Sequence, residues 1–197
     1  MGETRVRMNR WPASAKSQGG VDAAENTKAE DNPAFLQCMR EGDEAAWEQF
    51  VQEWGPRLYS YFKYNLRSAD EAEDALSETM IAVIQAIRTF DGNVTLATFV
   101  YSIAYRKVAD YWRRLRVTSE LTEWIPTEGP DHTRIEVQEA LAELSDQAQQ
   151  ALLLRYYVGL SVSEIAEVLG RSYKATESLL SRVRRQFETA FLHGAEA

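Results

Sequence analysis

The sequence predicts an all-α chain of two small helical domains joined by an acidic linker, with a helix-turn-helix in the C-terminal domain. Apolar residues recur at helical spacing almost throughout the 197 residues, and no strand-like alternation or internal repeat is visible. Between the two helical parts, residues 117–135 combine prolines and a glycine with acidic residues, which is typical of a linker. Two separate patches of helical periodicity therefore indicate two packed helical units.

The first domain is predicted over residues 33–116. It follows an N-terminal extension over 1–32, which shows no apolar period and is interpreted as disordered. The pair Gly55-Pro56 is expected to break the helical pattern. The expected helices of this domain cover 33–54 (one or two helices), 57–67, 70–90 and 95–116.

The helix over 70–90 has an apolar face and an acidic face. Its inner face is predicted from side chains that share a narrow arc: Leu76, Met80, Val83 and Ile87. The opposite face carries Asp74, Glu78 and Gln85 around Ile81. An isoleucine within an acidic stripe is typical of a surface that contacts a basic partner helix. Single exposed aliphatic residues are also common on surfaces, so the pattern alone leaves both interpretations open.

The helix over 95–116 interleaves aromatic and basic residues. Such a composition is typical of surfaces that bind single-stranded nucleic acid, because aromatics stack on bases while Arg and Lys contact phosphates. A seven-residue stripe through Tyr101, Tyr105, Val108 and Trp112 favours a core role for most of the aromatics instead. The basic residues and one or two tyrosines are thus the better nucleic-acid candidates.

The second domain, predicted over 136–192, contains the helix-turn-helix. Ser161 and Glu164 form a capping box, Gly170 suits the sharp turn, and Ser172 suits the cap of a second helix. The inner face of that second helix is predicted to be Thr176, Leu179, Leu180, Val183 and Phe187. Its outer face would show Tyr173, Lys174, Glu177, Ser178, Ser181, Arg182 and Arg185. This pattern indicates a helix that enters a DNA major groove, although an ordinary helical hairpin would share it.

The net charge of −8 argues against nonspecific coating of nucleic acid, but the charge is unevenly distributed. Residues 101–117 carry five basic residues against one acid, and residues 171–188 carry five against two acids. The stretch 118–150 holds eight acids and one arginine. Two basic segments on an acidic chain are typical of a protein that contacts DNA at two places.

Several classes of function are excluded by composition. Nothing approaches the roughly 20 apolar residues of a membrane span, so no membrane insertion is expected. The single Cys38 permits no internal disulfide, which makes a cytoplasmic setting the default. No metal or cofactor is expected, because His132 and His193 show no ligand spacing with Cys38. An enzyme is not expected either, since no phosphate-binding loop or nucleophile motif is present.

Four segments in order resemble the extracytoplasmic-function (ECF) sigma factors of bacterial RNA polymerase. The start of the sigma-2 domain is similar to GDEAAWEQFVQEWGPRLYSY at 42–61. The segment that grips the polymerase clamp helices resembles DEAEDALSETMIAVIQAIRTFDG at 70–92, and the helix that opens the −10 element resembles TFVYSIAYRKVADYWRR at 98–114. The sigma-4 domain is similar to ALAELSDQAQQALLLRYYVGLSVSEIAEVLG at 140–170, so the −35 recognition helix falls at 172–187.

The resemblance implies three groups of site residues and their partners. Contacts with the clamp helices of core RNA polymerase are expected from Glu73, Asp74, Glu78, Ile81 and Gln85. Contacts with −10 promoter DNA, including a flipped base held by the loop 91–95, are expected from Asn93, Thr95, Tyr101, Arg106, Lys107 and Arg113. Contacts with the −35 element are expected from Ser172, Tyr173, Lys174, Glu177, Ser178, Ser181, Arg182 and Arg185. Family members are often held inactive by an anti-sigma factor, which is a candidate partner here.

The leading hypothesis is an alternative sigma factor that binds core polymerase, reads the −35 element and melts the −10 element. The alternative is a stand-alone helix-turn-helix transcriptional regulator whose first domain serves as a sensor or dimerisation module. The acidic face around Ile81 and the aromatic-basic helix favour the sigma factor.

Overall fold

The computed structural model describes residues 31–117, 140–141 and 143–194. Its first helices are α1 (Pro33–Glu41) and α2 (Glu44–Asn65). The Asn32 side chain accepts from the Ala34 N–H and caps α1, which starts with a proline as first turns tolerate. Asp43 caps α2 in the same way. Of the predicted extension, residues 1–30 lie outside the described part of the chain, whereas Asp31 and Asn32 belong to the folded domain.

The predicted break at Gly55-Pro56 is wrong, because α2 continues through both residues. Pro56 lacks an N–H and normally destabilises a helix interior. Here the helix is anchored on both sides of the proline by fully buried aromatic and aliphatic side chains, while Pro56 itself faces solvent. These core side chains are Phe50, Trp54, Leu58, Tyr61 and Phe62. Tertiary packing therefore overrides the local helix-breaking signal.

The next helices are α3 (Ala69–Ala86) and α4 (Leu96–Val117), separated by a 3₁₀ turn over Ile87–Thr89 and a loop. A capping box between Ser68 and Glu71 starts α3. The expected helix over 70–90 is thus a shorter α-helix followed by the 3₁₀ turn. Asp31 Oδ1 accepts from the Leu96 N–H at 2.6 Å and caps the start of α4.

The second helical unit contains α5 (Asp146–Leu152), a π-helical turn (Leu153–Val158), α6 (Val162–Leu169) and α7 (Tyr173–Gly194). The predicted helix-turn-helix is confirmed in its details. The capping box at Ser161 is formed, and Gly170 ends α6 at φ 62°, a backbone conformation that favours glycine. The predicted inner face of α7 is buried at every position. Of the linker and the predicted domain start, residues 118–139 lie outside the described part.

The two helical units pack directly on each other and share one continuous apolar core. On one side, α4 packs against α3; on another side, it packs against α6. A buried polar network joins α2 to α5: Tyr61 donates its hydroxyl to Gln150 Oε1, and Gln150 Nε2 donates to Asn65 Oδ1. Burial raises the pKa of Tyr61 well above its ordinary value, so the hydroxyl keeps the proton that it donates.

Within the described residues, no helix combines the length and apolar character that a membrane span requires.

The network predicts that Gln150→Leu destabilises the fold, because Tyr61 Oη and Asn65 Oδ1 would remain buried without a partner. Each such group costs about 1–3 kcal/mol. Urea unfolding should therefore show a loss of at least about 1 kcal/mol. Gln186→Leu, at an exposed position on α7, is the control and should change the free energy of unfolding by no more than about 0.5 kcal/mol. Equal losses in both variants would contradict the structural role of the network.

Candidate nucleic-acid and polymerase-binding surfaces

The outer face of α7 is a continuous polar and basic surface. Ser172 caps the helix by accepting from the Ala175 N–H at 3.3 Å, which sets the start of the exposed face. Every side chain predicted to contact −35 DNA is exposed: Ser172, Tyr173, Lys174, Glu177, Ser178, Ser181, Arg182 and Arg185. Because the opposite side of α7 is buried against α5 and α6, only this face is available to DNA.

The outer face of α3 combines acids with exposed aliphatic side chains. Asp74, Glu78 and Gln85 are exposed, and Ile81 at their centre has 56% of its surface accessible. Ile84, which is not among the predicted polymerase contacts, is 49% exposed three residues later. Two adjacent aliphatic side chains on an acidic surface form a more extended apolar patch than Ile81 alone. Glu73 is also exposed, at the border of this face.

The α3 and α4 surfaces are linked by an ion pair between Glu78 and Lys107. Lys107 Nζ lies 2.9 Å from Glu78 Oε2. The hydrogen bond from Lys107 lowers the pKa of Glu78 despite partial desolvation, with a further contribution from the charge of Arg114. The sequence places these two residues in different sites, one facing polymerase and one facing DNA. The structure brings them together, so each neutralises part of the other's charge.

The remaining basic candidates on α4 are exposed. Arg106 and Arg113 are seven residues apart and thus share a helix face, with Asp110 between them paired to Arg113 at 2.9 Å. Asn93 is exposed in the loop before α4, where its N–H donates to Asp91 Oδ1. These side chains can approach a nucleic-acid backbone without any rearrangement of the core.

Tyr101 must be removed from the predicted −10 contacts. Its side chain is 3% exposed, and its ring packs against those of Trp54 and Tyr61 at centroid distances of 5.9 and 5.3 Å. The seven-residue stripe that predicted a core role for this position therefore gives the correct interpretation. Tyr101 is buried because α2 covers that side of α4. The other aromatic residues of α4 are only partly buried: Phe99, Tyr105, Tyr111 and Trp112.

Thr95, predicted to lie at the −10 base pocket, is bonded to the helix-turn-helix. Its hydroxyl donates to Glu164 Oε1 at 2.9 Å, and the buried Thr98 hydroxyl donates to the same oxygen at 3.3 Å. The other oxygen, Oε2, accepts from the Ser161 backbone and hydroxyl. Burial raises the pKa of Glu164, but the hydrogen bonds from Ser161, Thr95 and Thr98 outweigh it and hold the pKa below its ordinary value.

A cleft of about 580 Å³ lies beside this contact, between the loop over residues 91–95 and the start of α6. Its polar lining comes from both helical units: Asp31, Asn93, Thr95, Thr98, Ser161, Ser163, Glu164 and Glu167. The three carboxylates here, Asp31, Glu164 and Glu167, do not form a metal centre, because no cluster of metal-ligating side chains occurs among the described residues. Because its lining comes from both helical units, the cleft lies at the interface between them.

Comparisons with known proteins assign both units to one family. The model of Sigma-70 region 2 matches residues 50–118, and that of Sigma-70, region 4 matches residues 134–187. The RNA polymerase sigma factor YlaC of Bacillus subtilis is 26% identical over 163 residues, which cover 76% of this chain and 91% of YlaC. The ECF RNA polymerase sigma factor SigF of Caulobacter vibrioides is 27% identical over 160 residues, which cover 74% and 89%.

The chain belongs to the ECF sigma factors. The ECF RNA polymerase sigma factor SigC of Mycobacterium tuberculosis is a further relative, 29% identical over 160 residues that cover 77% of this sigma factor and 86% of SigC. The match to region 2 also favours a sigma factor over a stand-alone regulator, since it assigns the first domain to the same family as the helix-turn-helix.

Solved structures share the fold of this sigma factor. CnrH, in complex with the cytosolic domain of CnrY, aligns at a TM-score of 0.67 and 22% identity over 85% of this sigma factor and 99% of the CnrH chain. RpoE of Bartonella quintana, in complex with the anti-sigma factor NepR, aligns at a TM-score of 0.63 and 18% identity, covering 73% and 94%. The alignment with CnrH is long enough to include residues of both helical units.

The lowered pKa of Glu164 predicts that the free energy of unfolding of this sigma factor depends on pH. Because the pKa of Glu164 is lower in the folded chain, its stabilising contribution is present above the ordinary value of 4.5 and is lost as pH falls through the lowered pKa. Between about pH 7 and about pH 3.5, Glu164→Gln should therefore lose less free energy of unfolding than the unmodified chain.

Urea unfolding at both pH values measures this difference, and Glu167→Gln is the matched control. Glu167 and Asp31 line the same cleft, but Glu167 is exposed on α6. Its substitution should leave the pH dependence close to that of the unmodified chain. An equal effect of both substitutions would show that general charge, rather than the hydrogen bonds of Glu164, sets the pH dependence.

Proposed function

We propose that this sigma factor binds core RNA polymerase through the outer face of α3 and directs transcription from promoters that it reads at two points. It acts in the cytoplasm, where polymerase and chromosome are found, and has no catalytic activity of its own. The observation that carries the proposal is the combination, in one chain, of an acidic-aliphatic surface on α3 with two separate basic surfaces on α4 and α7.

The α3 surface supports the polymerase part of the proposal. Glu73, Asp74 and Glu78 supply negative charge that attracts a basic partner helix, while Ile81 and Gln85 lie on the same exposed side. Exposed Ile84 adjoins Ile81 and enlarges the apolar area that binding would bury. Charge at the edge and aliphatic side chains at the centre are the usual arrangement of a protein–protein interface.

The α4 and α7 surfaces support the DNA part. On α7, Lys174, Arg182 and Arg185 suit phosphate contacts, whereas Glu177 can accept from cytosine N4 in the major groove. On α4 and the preceding loop, the proposed −10 contacts are Asn93, Thr95, Arg106, Lys107 and Arg113. Because the recognition helix carries Glu177 among its basic residues, its own affinity for DNA should be low, with polymerase supplying the remainder.

An anti-sigma factor is a further proposed partner. Two proteins of the same fold, CnrH and RpoE of Bartonella quintana, have been solved in complex with the cytosolic domain of CnrY and with the anti-sigma factor NepR, respectively. The exposed aliphatic patch of Ile81 and Ile84 is a suitable site for such a competitor of polymerase.

The direct test is transcription with purified components. The sigma factor is mixed with bacterial core polymerase and fragmented genomic DNA, and transcripts are sequenced from their 5′ ends. We expect starts at a defined set of promoters that depend on the added chain. No core binding in gel filtration and no dependent transcripts would overturn the proposal.

Charge reversal on α3 should weaken core binding. Asp74→Lys with Glu78→Lys places two positive charges opposite a basic partner, so we expect the dissociation constant for core polymerase to rise at least about tenfold. Biolayer interferometry at two salt concentrations measures it. Glu41→Lys with Glu48→Lys makes the same change of charge at exposed positions on α1 and α2 and should leave the constant nearly unchanged. Equal weakening by both pairs would contradict the proposed surface.

Loss of basic side chains on α7 should weaken −35 binding without affecting core binding. For Lys174→Ala with Arg182→Ala, the slope of log affinity against log salt for holoenzyme on promoter DNA should fall by about 2 if both contact phosphates. The control Arg88→Ala removes an exposed charge from the 3₁₀ turn and should keep the slope. An unchanged slope in the double variant would place the −35 contacts elsewhere.

A further inference from the structure

Glu177 is an exposed carboxylate on the face of α7 that is proposed to read the −35 element. It lies in the second turn of the helix, and the N-terminal turns of a recognition helix contact base edges. The residues around it are held by the core, because Thr176, Leu179 and Leu180 are all buried. The Thr176 hydroxyl also donates to the Ser172 carbonyl oxygen at 3.1 Å. The backbone that carries the carboxylate is therefore fixed in place before DNA is bound.

The Glu177 carboxylate has no bonding partner among the residues that the structure describes. Lys174 lies one turn earlier, at a spacing that permits an ion pair, yet the two side chains do not form one. The other glutamate of α7 behaves differently, since Glu188 Oε1 accepts from Arg184 Nε at 2.9 Å. Glu177 thus keeps its full capacity to accept hydrogen bonds from a bound molecule.

The chemistry of the major groove limits what this carboxylate can meet there. An ionised carboxylate only accepts hydrogen bonds, and the donors on base edges in this groove are the amino groups of cytosine N4 and adenine N6. Adenine places its N7 acceptor beside the donor, while guanine and thymine present acceptors. These acceptors repel a carboxylate. Cytosine is the base whose own edge offers a donor without an acceptor, so Glu177 is matched to cytosine.

The basic residues on the same face compensate for the negative charge. Lys174, Arg182 and Arg185 are exposed there and attract phosphates irrespective of sequence. Ser181 lies one turn after Glu177 and is short, so it leaves room beside the carboxylate for a base edge. The face therefore combines sequence-independent attraction with one acceptor that distinguishes bases.

We propose that Glu177 is a specificity-determining residue, which accepts a hydrogen bond from the N4 amino group of one cytosine in the −35 element. This inference rests on the proposed function and adds one defined base to the promoters that this sigma factor selects. Much of the discrimination comes from rejection, because any other base leaves the carboxylate facing an acceptor. The basic side chains supply affinity, and Glu177 supplies selectivity at one position.

Selection from a promoter library tests the base preference. Holoenzyme is bound to promoters with a randomised −35 element, and the bound DNA is sequenced. For the unmodified chain, we expect cytosine to be enriched at least about fivefold over each other base at one position. Glu177→Gln should shift that position from cytosine to adenine, because a glutamine amide pairs with adenine N6 and N7, and should leave the other positions unchanged.

Glu188→Gln is the matched control for the selection. It removes the same charge from the same helix, but from a carboxylate that is bonded to Arg184, so the cytosine preference should remain. An equal shift in Glu188→Gln overturns the inference. A uniform rise in affinity for all sequences in Glu177→Gln also overturns it, since Glu177 would then only repel phosphates.

A base analogue tests the hydrogen bond itself. In the selected promoter, 2-pyrimidinone replaces the preferred cytosine and lacks the N4 amino group. By fluorescence anisotropy, unmodified holoenzyme should lose at least about fivefold more affinity on this replacement than holoenzyme with Glu177→Ala, which has no acceptor to lose. The comparison cancels any effect of the analogue on the duplex. Equal losses would assign the contact to another residue and overturn the inference.

The outcomes also separate this inference from the proposed function. A −35 preference that does not respond to Glu177→Gln overturns the inference and leaves the proposed function intact. Absence of core binding, or of any enrichment in the −35 element, overturns both.

Discussion

The structure depends on α4 being buried on two sides at once, by α3 of its own unit and by α6 of the other. Hydroxyl groups of α4 and its preceding loop meet a carboxylate on each side. Tyr111 Oη donates to Glu71 Oε1 at 2.9 Å, and Thr95 Oγ1 donates to Glu164 Oε1. Burial, together with the neighbouring Glu71, raises the pKa of Tyr111 and keeps it a donor. In both cases the acceptor is the glutamate of a capping box.

Helix α4 both carries the surface proposed for DNA and makes bonds to α3 and α6. The surface of α4 that supports Arg106 and Arg113 is the surface proposed for DNA, yet the start of α4 is held by Glu164 and its middle by the pair between Lys107 and Glu78. An exposed ion pair contributes little to stability and exchanges partners readily. Under the proposed function, binding of polymerase at Glu78 would release Lys107 toward a phosphate, and contacts on α3 and α4 would then be coupled through this ion pair.

The sequence predicted the features of the fold that depend on residues close together in the chain. The capping box at Ser161 and the turn at Gly170 depend on residues three to nine positions apart, and the two faces of α7 follow from helical spacing. The continuity of α2 through Pro56 depends on packing against distant helices, so the local helix-breaking signal pointed the wrong way. At Tyr101 the local seven-residue stripe was right, and the −10 role implied by the family resemblance was wrong. The contact between Thr95 and Glu164 joins residues 69 positions apart, and nothing in either segment indicates it.

The dual use of Glu164 suggests how the contact between the units could arise. Burying part of a carboxylate is costly, but the capping box of α6 holds this charge in place and satisfies one of its oxygens. The Thr95 and Thr98 hydroxyls donate to Oε1, the carboxylate oxygen that the cap leaves available. Substitutions of similar size at Thr95 in the loop and Thr98 in the first turn of α4 can therefore strengthen or weaken the contact between the two units without altering the helix-turn-helix.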